Sequence, residues 1–276
     1  MKKIILFIIL FTPIAVFANT YDQSFCPQPP YPISKKFIQG MDKATGMNFL
    51  TTKTVETVLK NQLKKDFGGS YKVDIQSFSA SNLARGKFKN LSIDGENLIA
   101  DGIRISNFSA KSMCEFSHIQ IQNENVKFAQ NMLVNFEVKM SEADLKNSVS
   151  SKFLNGISYP QNGVPMFKFD VSDVSIEGNY LTFTISYLNF FKNRQSNFKF
   201  RASLEVQNGK IVFTDVGIVN SNLNFTRIMP LINLFNPFVS KINVLDNKDS
   251  VLRVNSVKIK DKQILIDGKV YIPKNI

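Results

Sequence analysis

Cys26 and Cys114 are the only two thiols in the chain, and His118 is its only imidazole. Two thiols can close one disulfide, but they are too few for a disulfide scaffold or a Cys-rich zinc site. A single histidine excludes any site built from several imidazoles. His118 alternates with Gln120 and Gln122, a polar periodicity that predicts a solvated side chain. Asp94, Glu96 and Asp101 gather near a predicted strand turn. They lack calcium-loop spacing and read as ordinary acidic turn residues. The sequence has no Gly-x-Ser-x-Gly, no glycine-rich phosphate loop and no His-x-x-x-His pair. Paired carboxylates of the glycosidase kind carry no sequence signature, and nothing points to them. The expectation is a protein with no catalytic residues, no metal and no cofactor.

Whether the thiols pair depends on the compartment. Lys2 and Lys3 precede an apolar run, Ile4 to Phe11. Pro13 breaks that run, and Ala15-Val16-Phe17-Ala18 ends it in a small-x-small pattern. Residues 1–18 therefore read as a cleaved secretory signal, since the run is short for a membrane span. Export to the periplasm or extracytoplasmic envelope would make a Cys26–Cys114 bridge possible. It would tie down the Pro-rich entry segment and add roughly 4–5 kcal/mol in the chain-entropy model. The alternative is two free thiols, with Cys114 a small strand residue. The sequence leaves both open.

Phenylalanine and positive charge are in excess. The chain carries 25 Phe and no Trp, and 34 Lys+Arg against 22 Asp+Glu, a net charge of +12. Most Phe fall on the apolar positions of alternating stretches, where packing a core is their ordinary use. Phe136, Phe167, Phe169, Phe183, Phe198, Phe200 and Phe213 are also candidates for lining an apolar groove. A Phe ring suits acyl chains because it has no polar atom in need of a partner. The basic residues come in short pieces, among them Lys35-Lys36, Lys64-Lys65 and Lys199 with Arg201. On an exported chain these fit anionic phospholipid headgroups better than nucleic acid, or they simply keep a solvated surface. Lys199 and Arg201 are the candidate headgroup contacts, expected at the rim of that groove.

These residues need a scaffold, and the periodicity supplies one. Residues 34–49 show weak helical spacing broken by Gly40 and Gly46. Val55, Val58, Leu59, Leu63 and Phe67 predict an amphipathic helix of about four turns, with Lys53, Glu56, Lys60 and Lys64 facing away. The period then switches to two through Tyr71–Ile75, Phe88–Ile93, Ile103–Ile105, Ile119–Ile121 and Met132–Met140, with Gly86, Gly95, Gly102 and Asn107 at predicted turns. Ser141 and Asp144 predict a capping box on a second helix that carries Leu145, Val149, Phe153 and Leu154. Strands resume at Phe167–Val171, Leu181–Tyr187 and Phe198–Val206. Asn208-Gly209 marks a tight hairpin. Asn224 to Phe238 predicts a third helical stretch, and Val251–Ile259 with Ile264–Ile272 a final hairpin. The fold class is α+β: a long, curved antiparallel meander around two or three amphipathic helices.

Read in order, several short motifs form a recognisable set. They are the entry helix around Val55 to Leu63, Gly86-Lys87-Phe88 leading to Leu91 and Ile93, and Asp101-Gly102-Ile103. Ser141-Glu142-Ala143-Asp144-Leu145, Leu234-Phe235-Asn236-Pro237 and Ile266-Asp267-Gly268 complete it. From about Thr54 to Pro273 the chain resembles the LmeA-like family of exported bacterial phospholipid-binding proteins. It departs from that pattern in its Cys- and Pro-bearing entry segment and in its Phe, Lys and Asn bias, which leaves the ligand open. The resemblance implies an elongated sheet wrapped about helices, similar to tubular lipid-binding domains, with an apolar lipid site and a role in the cell envelope. The expected organisation is a signal (1–18), an entry segment (19–52) and one domain (53–276). The expected partners are phospholipid and an anionic membrane surface. The competing expectation is an envelope assembly module that binds a protein, for instance by strand addition. An apolar cavity would favour the first, and a solid core with an exposed apolar patch the second.

Overall fold

The computed structural model describes residues 25–26, 33, 35–100, 102–122, 125–148, 157–161, 164–189, 194–219 and 251–274. The expected signal at 1–18, Asp101, and the helical stretch at 224–238 with its Leu-Phe-Asn-Pro motif lie outside the described residues. So do Val149, Phe153 and Leu154.

Helix α1 spans Lys36–Ala44 and α2 spans Met47–Phe67. The sequence spacing was weak here because two glycines interrupt it. The helix runs through Gly40, and the break comes at Gly46, whose φ of 71° is left-handed and costs glycine little. The inner side of α2 carries Leu63 and Phe67, with Val55 and Leu59 packed beside them. Two expected orientations are reversed. Val58, assigned to the apolar face, is 62% exposed, whereas Glu56, expected to face away, is buried. The reason is an acceptor role. Glu56 Oε1 accepts the Ile75 N–H at 3.1 Å, and Oε2 accepts from Lys53 Nζ at 2.6 Å. Ile75 lies on an edge strand, so its N–H needs a partner from outside the sheet.

The strands, in order, are β1 (Ser70–Gln76), β2 (Lys87–Phe88), β3 (Asn90–Ala100), β4 (Ile103–Ser112), β5 (Ser117–Gln122), β6 (Asn125–Phe128) and β7 (Met132–Ser141). Then come β8 (Ile157–Gln161), β9 (Val164–Glu177), β10 (Tyr180–Asn189), β11 (Arg194–Gln207), β12 (Lys210–Val219), β13 (Val251–Lys260) and β14 (Gln263–Ile272). The short helix α3 (Ala80–Ala84) precedes β2, and α4 (Glu142–Ser148) follows β7.

Among the described residues all the pairings are antiparallel, but the expected single meander is divided. A six-stranded sheet has the order β1-β3-β4-β7-β14-β13, a five-stranded sheet the order β12-β11-β10-β9-β8, and β2-β5-β6 form a small third sheet. Only the five-stranded sheet is a simple meander. It is inserted between β7 and the final hairpin, which returns to pair with β7 (Phe136 opposite Gly268). Gly95 and Asn107, expected at turns, lie inside β3 and β4. A Cβ on Gly95 would stand 3.0 Å from the Tyr71 ring and about as close to Leu98, so glycine here makes room for packing. Strand β8 was not legible, because Pro160 interrupts it. It is an edge strand with a register shift beside Pro160, the place where a sheet tolerates proline.

Two predicted local devices form as expected. The Asp144 N–H donates to Ser141 Oγ at 3.1 Å and the Ser141 N–H donates to Asp144 Oδ2 at 2.8 Å, a reciprocal cap on α4. Asn208 and Gly209 both have positive φ, 54° and 73°, as a two-residue hairpin turn demands.

Each large sheet has its own hydrophobic cluster. The first is built from Val73, Ile75, Ile93, Phe108, Val134, Phe136 and Val270 with the inner side of α2. The second gathers Val171, Val174, Ile176, Leu181, Phe183, Ile185, Phe198, Phe200 and Ala202. Leu204, Val257 and Ile266 pack against both, so the two interiors are continuous.

Candidate functional site

Cys26 and Cys114 form a disulfide with a Cα–Cα distance of 5.2 Å. The bridge closes a separation of 88 residues and ties the entry segment to Leu133 and Tyr271, where Phe25 meets the Tyr271 ring edge-on at 5.5 Å.

The seven candidate Phe residues separate into two groups. Phe136 stands alone in the first sheet, 4% exposed, opposite Ala110 on β4 and Gly268 on β14. The others belong to the second sheet. Phe183 on β10 and Phe200 on β11 are direct register partners, and their rings stack at 4.9 Å with 16° between planes. Phe213 on β12 meets both rings edge-on, at 5.8 Å and 6.3 Å. Those three rings, one from each of three neighbouring strands, form an offset aromatic row in mutual contact, Phe213 standing opposite Leu204 rather than Phe200. The row runs from a buried centre to half-buried Phe213 on the edge strand. Phe198 is buried opposite Ile185, one row along. Phe167 and Phe169 pair through β9 with Asn189 and Tyr187, and their side chains lie outside the described residues.

Lys199 and Arg201 are exposed and alternate along β11 with Phe198, Phe200 and Ala202. Successive side chains of a strand point to opposite faces, so both stand on the reverse of the sheet from the aromatic row. The Arg201 guanidinium lies 4.9 Å over the Tyr180 ring, a cation–π contact that fixes it to the sheet.

The remaining titratable groups of interest are occupied structurally. His118, expected to be solvated, is half-buried in the small sheet opposite Lys87, with Nε2 3.4 Å from Gln120 Nε2. Burial first, and then the Lys87 charge, hold its pKa below the ordinary value. Burial pushes the Asp144 carboxyl up, but hydrogen bonds from Ser106 and Ser141, with the Arg104 charge, outweigh it and leave the group below its ordinary value. Glu142 is also held low, first by the Ile176 N–H and then by Lys146. Among the described residues no three His, Cys, Asp or Glu side chains converge as a metal site. An open cleft of about 400 Å³ lies between the α1–α2 pair and β1. Asn48, Phe49, Lys53, Glu56, Asp74 and Ile75 contribute to its lining, and none of the seven candidate Phe does.

A family model for LmeA-like phospholipid-binding proteins matches residues 46–269. This chain belongs to the LmeA-like phospholipid-binding family. Membership supports lipid as the ligand class. No curated protein matches the chain, and no solved structure does. In LmeA-like terms, the match begins at Gly46, the turn that launches α2, and ends at Lys269, one residue past the glycine opposite Phe136. It therefore takes in both sheets and the whole aromatic row. The exposed apolar surface of α1–α2 was the candidate feature sequence reasoning missed. Met41, Met47, Phe49 and Leu50 were visible as apolar residues, but the solvent side of α2 could be recognised only once its inner side was fixed.

Proposed function

We propose that this protein is an exported lipid-binding protein of the cell envelope that holds acyl chains against the Phe-rich face of its second sheet and can pass lipid between membranes. The supporting observation is the aromatic row Phe183–Phe200–Phe213 in a chain of a phospholipid-binding family. Three rings without a polar atom make a surface that an acyl chain can extend without stranding a hydrogen-bonding group. Half-buried Phe213 on the edge strand is the proposed point of entry, with Phe198, Phe167 and Phe169 continuing the site along the sheet and Phe136 supporting it from the first. Lys199 and Arg201 are the proposed headgroup contacts. Standing on the reverse face, they suit the headgroups of an anionic membrane lying against that face. The proposed organisation is a cleaved signal at 1–18, an entry segment at 19–52 and one non-catalytic domain at 53–276, working in the periplasm or extracytoplasmic envelope.

The test is organic extraction of the purified protein followed by lipid mass spectrometry. Co-purifying phospholipid in near-stoichiometric amount is expected. Recovery of no lipid, together with no binding to anionic vesicles, would sink the reading.

One observation favours the second reading, a non-enzymatic module that binds a protein partner. Met41, Met47, Phe49, Leu50 and Val58 are 51–63% exposed on neighbouring helices, a concentration of apolar surface that marks an interaction site. Under that reading the extract carries no lipid, and a single envelope protein is retained in stoichiometric amount.

A further inference from the structure

We infer that the exposed side of the α1–α2 pair is a docking face for an anionic phospholipid bilayer. This goes beyond the acyl-chain site, because it uses none of the Phe positions of the two sheets and concerns where the protein sits rather than what it holds.

Helix α2 has two apolar sides. Val55, Leu59, Leu63 and Phe67 face the first sheet. Met47, Leu50, Thr54 and Val58 follow the helical period on the solvent side, and the three apolar members are 51%, 60% and 62% exposed. Met41 on α1 adds another exposed side chain at 52%. Elsewhere among the described residues only Ile99 and Met113 are large, apolar and exposed, so this surface is concentrated on one pair of helices.

The charges on the pair are sorted by direction. Lys35, Lys36, Lys53, Lys60, Lys64 and Lys65 are all exposed. The three carboxylates of the same helices are each engaged: Asp42 Oδ2 accepts the Ala80 N–H at 2.9 Å, buried Glu56 accepts from Ile75 and pairs with Lys53, and Asp66 accepts from Gln62 Nε2 of the same helix at 2.8 Å. None of the three is exposed, so the exposed charges of the pair are lysines, of which Lys53 is already paired.

That combination selects the occupant. The core of a protein–protein interface is depleted of lysine, whereas an amphipathic helix in a lipid interface carries Lys beside its apolar side and lets the long stems lie along it. Each Lys near an anionic surface is attracted to it. A second copy of the chain would set like charge against like. No described helix is long and apolar enough to cross a membrane, which fits a pair lying in the interface plane.

The experiment sediments the full-length protein with vesicles of equimolar phosphatidylglycerol and phosphatidylcholine, and with phosphatidylcholine alone. Binding to the anionic vesicles is expected, weakening as salt rises. Leu50→Glu with Val58→Glu should lower partitioning about tenfold or more. Lys60→Gln with Lys64→Gln should lower it several-fold and flatten the salt dependence. Lys199→Gln with Arg201→Gln serves as the comparison and should have the smaller effect. All these positions are exposed, so the melting temperature should hold. If the Glu pair lowers it, Leu50→Ser with Val58→Ser replaces that variant. No partitioning onto anionic vesicles, unchanged partitioning of the Glu pair, or loss of a dimer as its only effect would each overturn the inference. Lipid carried by the same preparations is measured in parallel. Docking without extracted lipid would overturn the acyl-chain site alone, and extracted lipid without docking this inference alone.

Discussion

Phe136 sits in the middle of the first sheet, between Ala110 on β4 and Gly268 on β14, while Phe213 sits on the outermost strand of the second. The first ring is enclosed by backbone. A Cβ on Gly268 would come within 2.7 Å of Phe136 Cζ and 2.3 Å of the Arg253 carbonyl oxygen, so glycine is needed where the ring crosses the strand pair. Phe213 has rings on one side and is half-buried. A residue type that looks uniform along the sequence is thus enclosed at Phe136, and equally at Phe183, Phe198 and Phe200, but left partly available at Phe213 on the edge. The availability is what a lipid-binding face requires.

The contrast is broken most directly at Phe136. Phe136→Ala should cost about 3–5 kcal/mol of unfolding free energy, and Gly268→Ala about 3 kcal/mol through overpacking against backbone. Urea unfolding at neutral pH measures both. The two substitutions should also be markedly non-additive, because each relieves or vacates the space the other needs. Additive losses would show that ring and glycine do not constrain each other.

Next in size is the disulfide, which belongs to the first sheet's side of the molecule through Leu133 and Tyr271. Cys26→Ser with Cys114→Ser should lower stability by about 2–5 kcal/mol. Amide exchange should quicken around β7 and β14 and stay slow in β10 and β11. Uniform acceleration across both sheets would show that their cores unfold as one unit.

Much of this organisation was legible from local patterns and some was not. The Ser141–Asp144 cap, the Asn208-Gly209 turn and the alternation of β7 and β11 are set by neighbours within a few residues, and periodicity reads such features well. Glu56 and Val58 were misplaced because a periodicity argument sends polar residues outward. The edge N–H that draws Glu56 in belongs to Ile75, 19 residues away. Gly95 reads as a turn residue in the sequence because its purpose, space beside Tyr71, is a tertiary one. The candidate Phe were identifiable as interior by alternation. Their division between two sheets depends on the return of β14 to β7, which no local pattern encodes. For the same reason Lys199 and Arg201 could be found as basic residues but not placed on the reverse face until β11 had neighbours.

A smaller effect joins the two regions. Helix α4 touches both sheets through its acids: Asp144 accepts from Ser106 on β4, and Glu142 Oε2 accepts the Ile176 N–H on β9 at 3.0 Å. Asp144→Asn should cost about 1 kcal/mol at neutral pH, the usual value of a lost capping interaction. The folded state holds this carboxyl below its ordinary value of 3.8, so its contribution is present above that pH and is lost as pH falls through the lower folded value. Thermal unfolding followed downward from neutral pH should show a steeper acid loss in the parent than in Asp144→Asn. Identical acid slopes would remove Asp144 from the list of groups that couple the sheets to pH.

A modest change in stability should accompany the largest change in ligand. Phe213→Ser removes two edge-on ring contacts, each worth about 0.5–1.5 kcal/mol, from a position already partly open, so the fold should lose about 1–3 kcal/mol and remain assembled at room temperature. Phe183 and Phe200 stay stacked behind it, but the row loses its outer member and gains a hydroxyl where an acyl chain is proposed to enter. Extracted phospholipid should fall several-fold relative to the parent, while Phe213→Leu, apolar and without a ring, should restore most of it. Phe136→Leu makes the matching change in the first sheet, where the ring only supports the proposed site, and should lower lipid content far less than Phe213→Ser. If the two positions reverse, with lipid tracking Phe136 and indifferent to Phe213, the enclosed ring rather than the edge ring marks the ligand face. The enclosed and available roles would then have to be exchanged between the two rings.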